Sequence, residues 1–224
     1  MDQTLFYLIN QQWTSPALDL FMAALSSSEI WKPFFIAIAL GALFFGEFNA
    51  RALVVCLVFS LLIAEGITSI LKSAIDRHRP KQVQSVRMVE LQKARPNFMT
   101  LFKKPTIRLS DQSDRNRSGP SFPSGHVANN AIAAVYLTLF WRRGWLYWII
   151  AVAVAYSRIY LGAHWPSDVI ATLFLATGEA LLLLGLFELI WRTAARRWAP
   201  NIYARHPSLI GNLTSQPGNS RHFR

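Results

Sequence analysis

Long unbroken blocks of apolar residues restrict this chain more than any other feature. "WKPFFIAIALGALFFG" (31–46), "ALVVCLVFSLLIAEGITSIL" (52–71) and the stretches 126–141, 145–161 and 169–191 carry almost no charge. Each is about long enough to cross a hydrocarbon core some 30 Å thick, the first and third with help from their flanks. A chain whose solvent is lipid must satisfy its backbone internally, and blocks of this length do so as helices. The expected fold class is therefore all-α, a polytopic membrane helix bundle with five clear spans. A further segment, "LFYLINQQWTSPALDLFMAALSS" (5–27), is apolar on both sides of a polar, proline-bearing middle. It is expected either as a sixth span or as a helix lying in the interface.

Several classes are excluded. Cys56 is the single cysteine of the 224 residues, so neither an internal disulfide nor a cysteine-rich metal site is expected. The formal net charge of +11 is large. It sits in loops that flank apolar blocks and no nucleic-acid module is visible, so anionic lipid is the expected partner and nucleic acid is not. The opening "MDQTLFY" has no basic n-region and no small-residue cleavage site follows, so the first segment is expected to be retained.

Residues 1–197 form one expected membrane domain, and 198–224 an expected polar, flexible tail. Within the domain, the polar loop at about 73–122 is too long for a simple turn and strongly basic. Arg142 and Arg143 after the third span, and Arg192, Arg196 and Arg197 after the fifth, predict that those ends are cytoplasmic. The long loop and "GAHWPSD" then share the opposite face.

Three motifs meet on that face. The end of the second span reads "KSAIDRHRP" (72–80), with Lys72 and Arg79 seven residues apart, about two turns if the helix continues. Pro80 stops the run. Taken alone, such cations commonly anchor to headgroups. Asp76, Arg77 and His78 are expected as solvated loop charges, and Glu65 as a partner within the bundle. The third span opens with "SFPSGHVANN" (121–130). Pro123 and Ser124 suit a helix start, Gly125 permits close approach, and the first free N–H groups make an anion cradle that His126 would face. An ordinary N-cap would look the same. Asn129 and Asn130 are expected to tie helices together. The fourth and fifth spans are joined by "SRIYLGAHWPSD" (157–168), with Arg158 at the end of one helix and Pro166 placed to open the next. Asp168 lies four residues after His164, a distance from which a carboxylate can fix one imidazole nitrogen and leave the other free to attack.

Separately each motif has a bland explanation. Jointly they deliver three cations, two histidines, one carboxylate and a helix N-terminus to one membrane face, an inventory suited to phosphate. "K-x6-RP" (72–80), "PSGH" (123–126) and "SR-x5-H-x3-D" (157–168) resemble, in order and without substitution, the three signature motifs of the type 2 phosphatidic acid phosphatase (PAP2) superfamily. The resemblance covers roughly 52–190. It implies that Lys72, Arg79 and Arg158 bind phosphate oxygens, with Ser124 and the Gly125 amide completing the cradle. His164 would become a phosphohistidine, Asp168 would orient it, and His126 would act as general acid and then base. It implies further that no metal or other cofactor is needed, and that the fold is an antiparallel bundle, usually of six spans, where this sequence shows five clear ones; a bacterial inner membrane is expected, with the arginines placing the site on its extracytoplasmic face.

The expected function is hydrolysis of a lipid phosphate or diphosphate. Undecaprenyl diphosphate, phosphatidylglycerol phosphate, phosphatidic acid and lipid A are the substrate types considered, with a polyprenyl diphosphate slightly ahead because the loop is so basic. Vanadate-dependent haloperoxidases use the same motif set, but the apolar spans disfavour that reading. A non-catalytic lipid-phosphate carrier would need the cations and not the histidines. The sequence leaves oligomeric state open.

Overall fold

The computed structural model of the chain describes residues 1–116 and 119–210, and most of these are helical. The N-terminal segment is broken into pieces. Helix α1 (Asp2–Tyr7) runs into a π-helical turn over Leu8–Gln12, and the chain then bends at Trp13 before α2 (Pro16–Leu25). Ser15 caps α2, its hydroxyl accepting from the Leu18 N–H at 3.3 Å, and Pro16 starts it. No single helix of spanning length forms from 5–27, because the polar middle is used to make the bend.

Among the described residues, three helices are long and apolar enough to cross a membrane: α3 (Ser28–Phe45), α4, which starts at Phe48 and runs to Ile75, and α9 (Pro166–Trp198). At about 1.5 Å per residue, the 33 residues of α9 reach some 50 Å, well beyond a hydrocarbon core. The expected third and fourth spans appear as α7 (Gly125–Phe140) and α8 (Tyr147–Tyr160), of 16 and 14 residues, joined through a 3-10 turn at Gly144–Leu146. Helix α7 is the centre of the bundle and packs on α4, α8 and α9. Its buried face is rich in alanine (Ala128, Ala131, Ala134) and meets Ala176 and Ala180 of α9, small residues that let helix backbones approach closely. Asn130 ties helices as expected, donating to the His126 carbonyl and accepting from the Tyr147 hydroxyl, both at 2.9 Å. Helix α3 buries none of its residues and packs on α4 alone among the long helices.

Two expectations about polar groups change here. Glu65 is exposed and has no polar partner among the described residues, because Ser60, Ala64 and Thr68 form the buried stripe of α4 and Glu65 is turned away from it. The tail does not loosen at residue 198: α10 (Pro200–Arg205) folds back on α9, His206 stacks on Phe48 with ring centroids 4.1 Å apart, and buried Leu209 donates its N–H to Glu188 at 2.9 Å. Residues 211–224, the rest of that tail, lie outside the described residues.

The basic loop carries structure that its composition hides. It begins with a one-turn helix α5 (Pro80–Val83), and an antiparallel pair, β1 (Arg87–Glu90) and β2 (Thr106–Leu109), runs in register from Arg87 opposite Leu109 to Glu90 opposite Thr106. A short α6 (Gln112–Asn116) follows. Buried polar groups fasten β1 to the N-terminal segment. Asn10 donates to the Tyr160 carbonyl at 2.7 Å and the Arg87 carbonyl at 2.9 Å, while Asp19 accepts from the Tyr160 hydroxyl and the Arg87 guanidinium, each at 2.6 Å. The N-terminal segment is thereby pinned beside the turn that joins α8 to α9.

That turn depends on one glycine. Gly162 has φ +72°, and a Cβ there would stand 2.9 Å from Val86 Cγ2 and 3.2 Å from the Arg87 carbonyl oxygen. Left-handed backbone alone disfavours other residues by roughly 1–2 kcal/mol, and the contact with β1 adds to it. Gly162→Ala is therefore expected to lower the Tm of the detergent-solubilised protein, whereas Gly41→Ala, where no atom lies within 4 Å of the new Cβ, leaves it unchanged. Equal thermal stability of the two variants would remove this account of the turn.

Candidate active site

The three motifs converge at one end of the bundle. Helix α4 stops because Asp76 takes a left-handed conformation, φ 43°, so Lys72 and Arg79 do not share a continuous helix face as the spacing suggested. A turn brings Arg79 back instead, and its Nε donates to the Gly119 carbonyl at 2.8 Å. Arg79 N–H donates to Gln82 at 2.6 Å, which closes the first turn of α5. The α4–α5 turn is tied to its neighbours by backbone groups. The Ser121 N–H donates to the Arg77 carbonyl at 2.7 Å, and the Trp165 indole donates to the His78 carbonyl at 2.8 Å.

At the second motif, the chain passes a cis Phe122–Pro123 peptide and enters α7 at Ser124. The Ser124 N–H donates to Thr172 of α9 at 3.1 Å, so the cradle is left to the amides that follow it. The Ser124 hydroxyl is fully buried and has no hydrogen-bond partner among the described residues; the same holds for the buried Arg158 Nε. A Cβ added at Gly125 would meet nothing within 4 Å. Packing within the protein does not demand glycine there.

The third motif supplies His164, buried to 3% exposure. Its position is fixed because the Ala163 and His164 N–H groups both donate to the Arg158 carbonyl, at 3.0 and 3.2 Å. The His164 Nδ1 lies 2.6 Å from the Ser121 carbonyl oxygen. A carbonyl only accepts, so Nδ1 carries the proton and Nε2 keeps its lone pair. Burial, with the positive charges of Arg158 and Arg79, holds the imidazole well below its usual pKa, against the opposing pull of that carbonyl. The charge of Lys72 acts on His126, that of Arg79 on His164, and that of Arg158 on both. Every residue singled out from the sequence (Lys72, Arg79, Ser124, Gly125, His126, Arg158, His164, Asp168) is thus at this end of the bundle.

The predicted bond from Asp168 to His164 is not what the structure contains. Asp168 is fully buried and its carboxylate accepts from the Ser121 hydroxyl at 2.5 Å, the Trp165 N–H at 3.1 Å and the Arg77 guanidinium at 2.5 Å. As the third residue of α9 it closes the helix start, and that turns it toward Ser121 and away from the imidazole. Arg77, expected as a solvated charge, instead bridges Asp168 to Asp2, which it meets at 2.8 Å. Asp2 also accepts from the Ser167 N–H at 2.9 Å and the Ser167 hydroxyl at 2.6 Å. Sequence reasoning missed Ser121, Arg77 and Asp2. The one available signal was that an arginine three residues before Pro80, beside a buried carboxylate two motifs away, had somewhere better to be than water.

A cavity of about 380 Å³ opens beside His126 and Arg158. Its wall is mixed: Ser26, Ser27 and Ser28 of the α2–α3 junction and Asn97 and Thr100 of the loop bring polar groups, Ile30, Val89, Leu91 and Leu161 an apolar side, and Glu29 and Lys93 charge. Ser26 bonds to the Arg158 guanidinium. Across the rim, Lys93 pairs with Glu29 at 3.3 Å and Asn97 donates to the Glu29 carbonyl at 3.2 Å.

The chain is similar to several known proteins. The PAP2 superfamily model matches residues 53–192. The lipid A 4'-phosphatase of Bacteroides thetaiotaomicron is 27% identical over 168 residues, which cover 70% of this chain and 64% of that protein. The undecaprenyl-diphosphatase of Sulfolobus acidocaldarius is 31% identical over 173 residues, 75% of this chain and 69% of that protein. Two solved structures share the fold: Aquifex aeolicus LpxE, with TM-score 0.59 and 21% identity over 82% of this chain and 94% of that one, and a transmembrane PAP2 type phosphatidylglycerolphosphate phosphatase from Bacillus subtilis, with TM-score 0.52 and 22% identity over 84% and 83%.

The electrostatics of His164 can be measured without substrate. In protein labelled with 15N-histidine, with the signal assigned by its loss in His164→Ala, the imidazole is expected to stay neutral to well below pH 6.5, with the proton on Nδ1. A titration midpoint at or above 6.5 would contradict the desolvated, cation-flanked environment.

Proposed function

The chain belongs to the PAP2 superfamily, and from that premise we propose that it is an integral membrane phosphatase that hydrolyses a lipid phosphate or diphosphate through a phosphohistidine at His164. The observation that carries this reading is the pair of buried, unpartnered groups, the Ser124 hydroxyl and Arg158 Nε, at the site where two histidines meet. A buried polar atom without a partner is unfavourable by roughly 1–3 kcal/mol, and a phosphate oxygen would satisfy both. Lys72, Arg79, Arg158, the Ser124 hydroxyl and the Gly125 amide hold the non-bridging oxygens and stabilise charge as it develops. His164 Nε2 attacks phosphorus, the bond to the leaving oxygen breaks, and His126 gives that oxygen its proton. His126 then takes a proton from water. The water oxygen attacks phosphorus, the N–P bond returns its electron pair to His164, and inorganic phosphate leaves. The cavity beside His126 is on the leaving-group side of this arrangement and would take the part of the headgroup next to the scissile bond.

Five crossings, by α3, α4, α7, α8 and α9, fit the apolar blocks, with α7 and α8 completed by their flanks. The arginines at 142, 143, 192, 196 and 197 would then be cytoplasmic and the site extracytoplasmic, in a bacterial inner membrane. In a Cys56→Ser background, single cysteines at Gly119 and Arg142 are expected to label from opposite sides with an impermeant reagent. Labelling from the same side would break this topology.

The preference for a polyprenyl diphosphate, drawn from the basic loop, is narrowed by the pairing of its cations. Arg87 is engaged by Asp19, Lys93 by Glu29, and Arg108 by Glu90 and Asp114. Arg95, Lys103 and Lys104 remain exposed, and Arg117 lies outside the described residues. The ranking over phosphatidylglycerol phosphate and lipid A therefore rests on few charges.

Phosphate release by the purified protein from phosphatidic acid, phosphatidylglycerol phosphate, undecaprenyl diphosphate and lipid A tests the function. Activity on at least one of them is expected, unchanged by excess EDTA and inhibited by vanadate. His164→Ala is expected to lower kcat by roughly 1,000-fold or more with the fold intact. Gly125→Ala should lower kcat/KM while leaving Tm in place, since its Cβ would displace only a ligand. Bromide oxidation after vanadate loading, without phosphate release, would replace this reading with a haloperoxidase.

A further inference from the structure

The back of His164 is built from a chain of contacts that the three motifs do not contain. Ser121 uses all three of its polar groups. Its carbonyl holds His164 Nδ1 at 2.6 Å, its hydroxyl donates to Asp168 at 2.5 Å, and its N–H donates to the Arg77 carbonyl at 2.7 Å. Arg77 closes the loop, because the residue that holds the Ser121 backbone also holds the Asp168 carboxylate with its side chain. Ser121 and Asp168 are fully buried, so no water competes for these bonds. Asp2 and Ser167 cover the outer side of Arg77 at 2.8 and 2.9 Å.

We infer that Ser121 and Arg77 are positioning residues for the nucleophile, and that Asp168 acts on His164 through Ser121 and not through a bond of its own. The inference rests on the reading of His164 as the attacking group. Its physical content is a division of labour. A carboxylate bonded directly to Nδ1 would attract the positive charge that forms on the imidazole, but here Nδ1 faces a neutral carbonyl and the Asp168 charge is met by Arg77. Orientation and tautomer come from Ser121; Asp168 keeps Ser121 from turning, and Arg77 keeps Asp168 pointed at the serine hydroxyl. Removing the Asp168 charge should then hurt partly because the Arg77 guanidinium loses one of its two carboxylate partners and is drawn toward Asp2, and a second change that removes the arginine should relieve that part. A direct pair predicts no such relief, because Arg77 would have no share in its work.

Kinetics and spectroscopy on the full chain in detergent separate the two arrangements. Ser121→Ala is expected to lower kcat by about 10- to 100-fold, the range found when a functional histidine loses an outer partner, with KM within about twofold of wild type. Ser121→Thr, which keeps the hydroxyl, should recover most of kcat. Asp168→Asn should lose a similar or larger factor, and Arg77→Gln combined with Asp168→Asn should be less impaired than the product of the two single losses. The 15N signals of His164 report the same chain without turnover: Ser121→Ala should shift protons from Nδ1 toward a mixture of tautomers, and Ser121→Thr should not. If wild type releases no phosphate from any lipid, the nucleophile reading fails while the tautomer measurement still stands or falls by itself. An unaltered His164 tautomer in Ser121→Ala, or losses at Arg77 and Asp168 that simply multiply, would overturn the inference.

Discussion

Hydrocarbon offers no hydrogen bonds, and that constraint sets where chemistry can be placed in this protein. Buried faces of the helices inside the bundle are filled with alanine, valine and isoleucine, relieved by isolated pairs such as the Ser60 and Tyr136 hydroxyls, 2.5 Å apart. Backbone that departs from the helix is found instead at helix ends, where turns need not be covered by lipid. The left-handed Asp76, the Ser124 start of α7 and Gly162 all occur at one end of the bundle. Each turns the chain just before or after a helix, and each delivers one motif. The site is a consequence of stopping three helices at the same level.

Around His164 the polar accounting divides sharply. Behind the imidazole the polar groups are partnered: Ser121 uses its N–H, hydroxyl and carbonyl, Asp168 accepts three bonds, and Thr172 joins the Ser124 N–H to the Asp168 carbonyl at 3.1 and 2.6 Å. In front of it, the Ser124 hydroxyl and Arg158 Nε have none. Satisfied networks in a low-dielectric interior are rigid, and unsatisfied groups there are held at a cost that a ligand removes. A rigid back wall with an unsatisfied front is the arrangement needed to hold a nucleophile still while an anion comes to it.

What the sequence disclosed, and what it hid, follows from how local each feature is. Helices α3, α4, α7, α8 and α9 were legible because an apolar block needs no partner to announce itself, and the motif residues because their types and spacing suit one chemistry. The partner of His164 was not legible. A four-residue spacing allows Asp168 to reach the imidazole, but it also places Asp168 third in a helix opened by Pro166, and the capping geometry decided the outcome. The β1–β2 pair and the role of Arg77 were hidden for a related reason: each depends on residues 16 or more positions away, such as Glu90 on Thr106 or Arg77 on Asp168.

The positive charge of the chain shows the same limit. Its formal excess of +11 suggests a loop spread out to attract anions, yet Arg87 and Arg108 spend their guanidinium groups on Asp19, Glu90 and Asp114. The Arg87 pair is largely buried and bonded at both ends to the N-terminal segment and Tyr160, which makes it part of what holds the loop over the site. The Lys93–Glu29 pair is exposed, and a pair of that kind contributes about 0–1 kcal/mol. It sits on the cavity rim, where it can open without disturbing the fold. Charge in this loop therefore does two separate jobs. Arg87 fixes the loop to the N-terminal segment, Arg108 ties the loop to itself, and exposed lysines are left for the membrane surface and whatever anion approaches across it.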